Sequence, residues 1–202
     1  MAEHVAVRIH AEQIKNRLLW GYRGVNRKIC EDIAWFLNAE PDVLREIDLQ
    51  GNELGPQEAA ALSEGFASVN GLKSLKLKIN NLGGAGEGFD QFVSALRHTS
   101  IEYIDLRRNN LGPGHALLLA NSLREGRMRN LKVLDISGNP IGDEGGEAFV
   151  DVLSKAPRHV SLRVAGCGLK KDTLAAIGRF TAVGETVYDH GNFSEEDCKP
   201  NE

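Results

Sequence analysis

The sequence predicts an α/β solenoid, with a curved parallel sheet on its concave face and helices on its convex face. Three observations carry that expectation. A twelve-residue pattern returns every 28 to 30 residues, an apolar stripe of helical spacing follows each copy, and an asparagine stands at one fixed place in the pattern.

The clear copies are LREIDLQGNELG from Leu44, LKSLKLKINNLG from Leu72, IEYIDLRRNNLG from Ile101 and LKVLDISGNPIG from Leu131. Apolar residues occupy positions one, four, six and eleven, and asparagine occupies position nine. The asparagines are Asn52, Asn80, Asn109 and Asn139, at spacings of 28, 29 and 30 residues. A further 28 residues lead to Cys167, with Leu162 and Val164 before it and Leu169 after it. This is the pattern L-x-x-L-x-L-x-x-(N/C)-x-L. The chain therefore resembles leucine-rich repeat proteins of the ribonuclease-inhibitor-like class, which NOD-like receptors and Ran GTPase-activating proteins also use. The resemblance covers roughly residues 15–182.

Taken in chain order, residues 1–14 read as an N-terminal cap segment. Residues 15–43 form a degenerate first repeat with Leu18 and Trp20 at strand positions, Arg23 in the asparagine's place, and Ile33, Phe36 and Leu37 on the helix. Terminal repeats depart from consensus because one side has no neighbour. Repeats then start at 44, 72, 101, 131 and 159. Their helical stripes are Leu62 and Phe66; Phe89, Phe92, Val93 and Leu96; Leu119 and Leu123; Phe149, Val152 and Leu153; Ile177 and Phe180. The second stripe is displaced by the glycine-rich GGAGEG of 83–88, which lacks the Gly-Lys-Ser/Thr of a phosphate loop and reads as a connection. Residues 183–202 read as a closing strand and acidic tail. Within them VYDHGN of 187–192 echoes LDISGN, with Asp189 where an apolar residue belongs.

The asparagines have a physical reason. After each strand the chain turns into the interior, where a backbone group without a partner costs about 1–3 kcal/mol. An amide side chain both donates and accepts, so Asn52, Asn80, Asn109 and Asn139 are expected to form a ladder along the stack. Cys167 takes the same place as its last rung. A cysteine flanked by Gly166 and Gly168 also resembles a presented nucleophile. That chemistry needs a base, and His159 lies eight residues away, about 25 Å if extended.

Composition narrows the function classes. The 202 residues are 42% hydrophobic and 26% charged with a formal charge of -4, so no basic surplus points to nucleic acid. No apolar run is long enough to span a bilayer, and MAEHVAVRIHAEQ lacks the apolar core of a secretory signal. Three cysteines, Cys30, Cys167 and Cys198, without metal spacing fit the cytoplasm or another reducing compartment. The six histidines share no repeat position and form no metal motif, so no metal and no cofactor are expected. The charge is uneven, with a basic excess in residues 1–28 and an acidic one in 189–202.

A solenoid leaves alternate strand residues free on the concave side. The expected partner-binding residues are Asp48, Lys76, Lys78, Tyr103, Asp105, Arg107, Asp135 and Arg163. The expectation is a non-catalytic module for a protein partner, an adaptor or small subunit of a larger assembly, with no catalytic residues. The family resemblance implies one alternative, a GTPase-activating or GTPase-binding regulator, for which Arg107, Arg108 and Asn109 offer the residue types, although Asn109 is already assigned to the ladder.

Overall fold

The computed structural model describes residues 16–155 and 160–180. Six three-residue strands form one open parallel sheet in sequence order: β1 (Arg17–Leu19), β2 (Glu46–Asp48), β3 (Ser74–Lys76), β4 (Tyr103–Asp105), β5 (Val133–Asp135) and β6 (Ser161–Arg163). The helices between and after them are α1 (Arg27–Ala39), α2 (Pro56–Ser63), α3 (Phe89–Ala95), α4 (Pro113–Arg124), α5 (Gly142–Lys155) and α6 (Lys171–Gly178), with a 3₁₀ turn at Leu96–His98 after α3. The 1–14 and 183–202 segments, Cys198 and His159 lie outside the described residues.

The register is uniform, so each repeat position makes a row across the sheet. Leu18, Ile47, Leu75, Ile104, Leu134 and Leu162 align at position four and are buried. With Trp20, Leu49, Leu77, Leu106, Ile136 and Val164 of position six they form the sheet side of one continuous core. The helices supply the other side through Ile33, Leu62, Phe92, Leu119, Phe149 and Ile177. Neither layer can bury its apolar face alone, and stacking buries both. Phe66, Phe89 and Phe92 pack as tilted rings 5.9–6.2 Å apart where α3 is short, filling space with aromatic volume.

The turn out of each strand has one conformation. Position eight is left-handed in all six units: Tyr22, Gly51, Ile79, Arg108, Gly138 and Gly166 have φ between 52° and 71°. Glycine meets that demand without strain in three units. Gly51 meets a second demand, since a Cβ there would lie 2.2 Å from the Tyr22 ring.

The asparagine rungs are repetitive. In Asn80, Oδ1 accepts from the N–H groups of Asn52 and Leu54, both at 3.0 Å, while Nδ2 donates to Leu49 and Leu77 carbonyls. Asn139 does the same two units further on, accepting from Asn109 and Leu111 and donating to Leu106 and Ile136. Asn52 accepts from Arg23 and Val25, so the first repeat is held although its own rung is Arg23. Each side chain thereby satisfies buried backbone groups of two units. Cys167 is buried, and its thiol donates to the Ile136 carbonyl at 3.2 Å.

Candidate binding surface

The concave face is built from three rows of outward positions. Position three carries Arg17, Glu46, Ser74, Tyr103, Val133 and Ser161. Position five carries Leu19, Asp48, Lys76, Asp105, Asp135 and Arg163. Two residues further on, each turn begins with Gly21, Gln50, Lys78, Arg107, Ser137 and Ala165. All eight expected partner-binding residues therefore belong to this face, but at different depths.

Asp105 and Asp135 are buried, although alternation alone would have them project. The cause is Arg107, which folds back from position seven over position five. Its Nε and Nη2 donate to the Asp105 carboxylate at 2.9 and 2.6 Å, and Nε lies 3.6 Å from Asp135. Arg163 reaches Asp135 from the other side at 3.8 Å. Both aspartates also accept from the N–H two residues on, at 3.1 Å, as Asp48 does from Gln50. Burial pushes the Asp135 carboxyl above its ordinary range, against the pull of the Ser137 hydrogen bonds and Arg107. Asp48, half-buried, is raised for the same first reason. Burial and then the Asp105 charge raise the Tyr103 phenol.

A second ionic group lies beside the first. Glu46 is paired with Arg17 at 2.6 Å and with Lys76 at 2.8 Å. Burial pushes Glu46 up, but those two partners outweigh it and hold the carboxyl below its usual value. Glu102, at position two, bridges Lys73 at 3.0 Å and Lys132 at 2.5 Å. Glu46 and Glu102 were not among the expected site residues. The available signal was opposite charge near the same repeat position one period apart. Lys78 forms no ion pair among the described residues, and its side chain is half-buried on the face.

The remaining surfaces are less organised. Large apolar side chains are exposed at Trp35 on α1, at Leu117 and Leu118 on α4, and at Leu19 and Tyr22 by the first strand. A polar depression of about 370 Å³ separates α1, α2 and α3, where Arg27 is tied to Glu31 and Gln57. Among the described residues, no group of three or more His, Cys, Asp or Glu side chains is placed to hold a metal ion, and no helix is long and apolar enough to cross a membrane.

Comparison with known proteins agrees with this architecture. A family model described as "Leucine Rich repeat" matches residues 127–150, covering β5 and the first part of α5. Tonsoku-like protein from Bos taurus is 35% identical over 103 residues, covering 48% of this chain and 7% of that protein. Its Mus musculus counterpart is 34% identical over 99 residues, covering 48% and 7%. RAN GTPase-activating protein 2 from Arabidopsis thaliana is 28% identical over 113 residues, covering 55% of this chain and 20% of that protein. The matched stretch thus spans under a tenth of the Tonsoku-like relatives and a fifth of the plant protein.

Proposed function

Because this chain is a leucine-rich repeat protein, a scaffold whose chemistry resides in its surfaces, we propose that it is a non-catalytic protein-interaction module, an adaptor or small subunit, whose partner docks on the concave sheet. The observation that carries this reading is the pre-set arrangement of Arg107 over Asp105 and Asp135 beside the half-buried Tyr103. A guanidinium already held by two carboxylates loses little side-chain freedom on binding, and Arg and Tyr are favoured anchors at interfaces. The residues that reach the partner are Lys76, Lys78, Tyr103, Arg107 and Arg163, with Asp48 beside them, while Asp105 and Asp135 orient Arg107 and Arg163. Uniform parallel register makes the platform rigid.

The test is capture of stoichiometric partners from native cells by the tagged full chain, repeated with Tyr103→Ala, Lys78→Glu and a convex-face control, Leu117→Glu. The concave reading expects the first two to lose the partner and the control to keep it. Loss only with the control would transfer the site to the helices. Reversal at Arg107 is unsuitable, because a third carboxylate against Asp105 and Asp135 would unfold the sheet rather than probe binding.

A second reading, regulation of a GTPase, rests on the likeness to RAN GTPase-activating protein 2. Asn109 is wholly buried in the ladder, and Arg107 is held by two aspartates. A role of this kind would therefore rest on binding rather than on Arg107 or Asn109 acting in catalysis. Measuring GTP hydrolysis by a panel of small GTPases with and without the protein separates the readings: acceleration supports the second, and none across the panel removes it.

A further inference from the structure

The concave face carries both signs of charge, but it does not present both to a partner. Its side chains stand at two heights. Lys76, Arg107 and Arg163 are 34%, 35% and 39% exposed, whereas Glu46, Asp105 and Asp135 are 15%, 3% and 6% exposed. The acids form the floor of the face and the bases form its upper layer. Lys78, beside Arg107 on the neighbouring strand, adds a cation that forms no ion pair among the described residues.

The outward layer is also chemically unfinished. Arg107 uses Nε and Nη2 on the aspartates, while Nη1 donates to none of the described residues. A guanidinium anchored along one edge has its other edge free for a second carboxylate. Burial of Asp105 and Asp135 keeps their charges from repelling that group directly, because their partners lie between. Among the described residues the strip runs from Lys76 on β3 to Arg163 on β6, with Asp48 on the neighbouring β2. At position three of β3 to β6 the residues are uncharged, with Tyr103 beside Val133.

Resting on the concave-face reading, we propose that the partner contributes an extended acidic segment that crosses β3 to β6, with its carboxylates on Lys76, Lys78, Arg107 and Arg163. Three strand spacings separate the first strand from the last, about 14 Å, which four or five extended residues cover. An apolar residue of the same segment packs against Tyr103 and Val133. Nucleic acid fits less well. Its backbone needs many phosphate contacts in sequence, and this strip is short and bounded by Asp48.

The probe is a dye-labelled decapeptide of alternating glutamate and aspartate with one central leucine, compared with its lysine counterpart by fluorescence anisotropy on the full chain at low salt. The acidic peptide is expected to bind, to weaken as salt rises, and to weaken about tenfold with Lys78→Glu. Lys78 holds no ion pair among the described residues, so that variant should keep its fold by circular dichroism. Arg163→Gln supplies an independent second reduction. Failure of the acidic peptide to bind, indifference to Lys78→Glu, or preference for the lysine peptide would each overturn the proposal. A native partner lost with Tyr103→Ala while the acidic peptide does not bind would leave the concave face as the docking surface and remove the acidic segment. A native partner indifferent to both Tyr103→Ala and Lys78→Glu would remove the surface itself.

Discussion

The thiol of Cys167 donates to the carbonyl of Ile136 at 3.2 Å, the same carbonyl that Asn139 Nδ2 reaches at 2.6 Å. Cys167 thus keeps the cross-unit donation of a rung, to position six of the preceding unit. The accepting half has changed. In the complete rungs the N–H at position eleven bonds the next asparagine, whereas the Ile141 N–H turns to the Asn139 carbonyl at 2.8 Å.

Unequal rungs should have unequal worth. Asn139→Ala strands four backbone partners and is expected to cost about 2–4 kcal/mol, as is Asn109→Leu. Cys167→Ala removes the weak bond to Ile136 and a small buried side chain, costing about 1 kcal/mol. Urea melts of the three variants give the comparison, and equal losses would contradict the ladder's partition.

Gly51 and Tyr22 should be energetically coupled. Gly51→Ala adds a methyl at φ +65° and drives it into the Tyr22 ring. The left-handed backbone accounts for about 1–2 kcal/mol and the overlap for about 1 kcal/mol more, moderated because Tyr22 is largely exposed. In a Tyr22→Ala background the second part should vanish. A double-mutant cycle with no coupling would mean the ring moves aside freely.

Arg107→Met should destabilise in a pH-dependent way. It leaves Asp105 and Asp135 buried without their main cation, at a cost of about 2 kcal/mol at neutral pH, below the fully buried case because the guanidinium is partly exposed. Asp135 already binds its proton more tightly folded than unfolded, and losing Arg107 raises it further. The penalty therefore exists above the raised folded value and is relieved as pH falls towards the unfolded value of about 3.9. Denaturation midpoints of variant and parent should converge on acidification; a constant gap would argue against charge as the cause.

Two thiols should be inert in the native protein. Burial, then the nearby Glu58 and Glu31 charges, pushes the Cys30 thiol up to about 12. At pH 8 roughly one such thiol in ten thousand is ionised, against about a quarter for a free one. Cys167 is buried in its turn. Iodoacetamide followed by mass spectrometry should leave both unmodified until denaturant is added. Rapid native labelling of either would contradict the described packing.

Asp143 should tie the last helix to the one before it. Its carboxylate accepts from Lys170 Nζ at 2.8 Å, Thr173 Oγ1 at 2.5 Å and the Lys170 N–H at 3.1 Å, and Lys170 followed by Thr173 holds it down to about 2. A depressed value stabilises the fold above the unfolded value of about 3.9, and that contribution is lost as pH falls towards 2. Asp143→Asn should speed amide exchange in α6 at neutral pH and leave α4 unchanged.

The repeat and its register were readable from spacing, because burial on two layers imposes strict periods on the chain. Apolar residues at positions four and six mark the sheet's inner side wherever they recur, even in the degenerate unit with Leu18 and Trp20. Membership of the concave rows follows from the same arithmetic. Depth within those rows does not. Asp105 and Lys76 share position five, yet one lies beneath its neighbours and the other above them. That difference comes from the reach of Arg107 across two strands, and no one-dimensional pattern encodes the rotamer of a long side chain. Likewise, the left-handed turn at Ile79 and Arg108 is invisible in residue type, since half of the six units place glycine there and half do not.

Periodic burial is a property of sequence order, and from it came the solenoid, its unit boundaries and the place of each asparagine. Which charges are exposed and which are buried was decided only when the strands lay side by side. Pairs such as Arg107–Asp135 and Lys76–Glu46 join residues about 30 positions apart, and their geometry exists only in the assembled sheet.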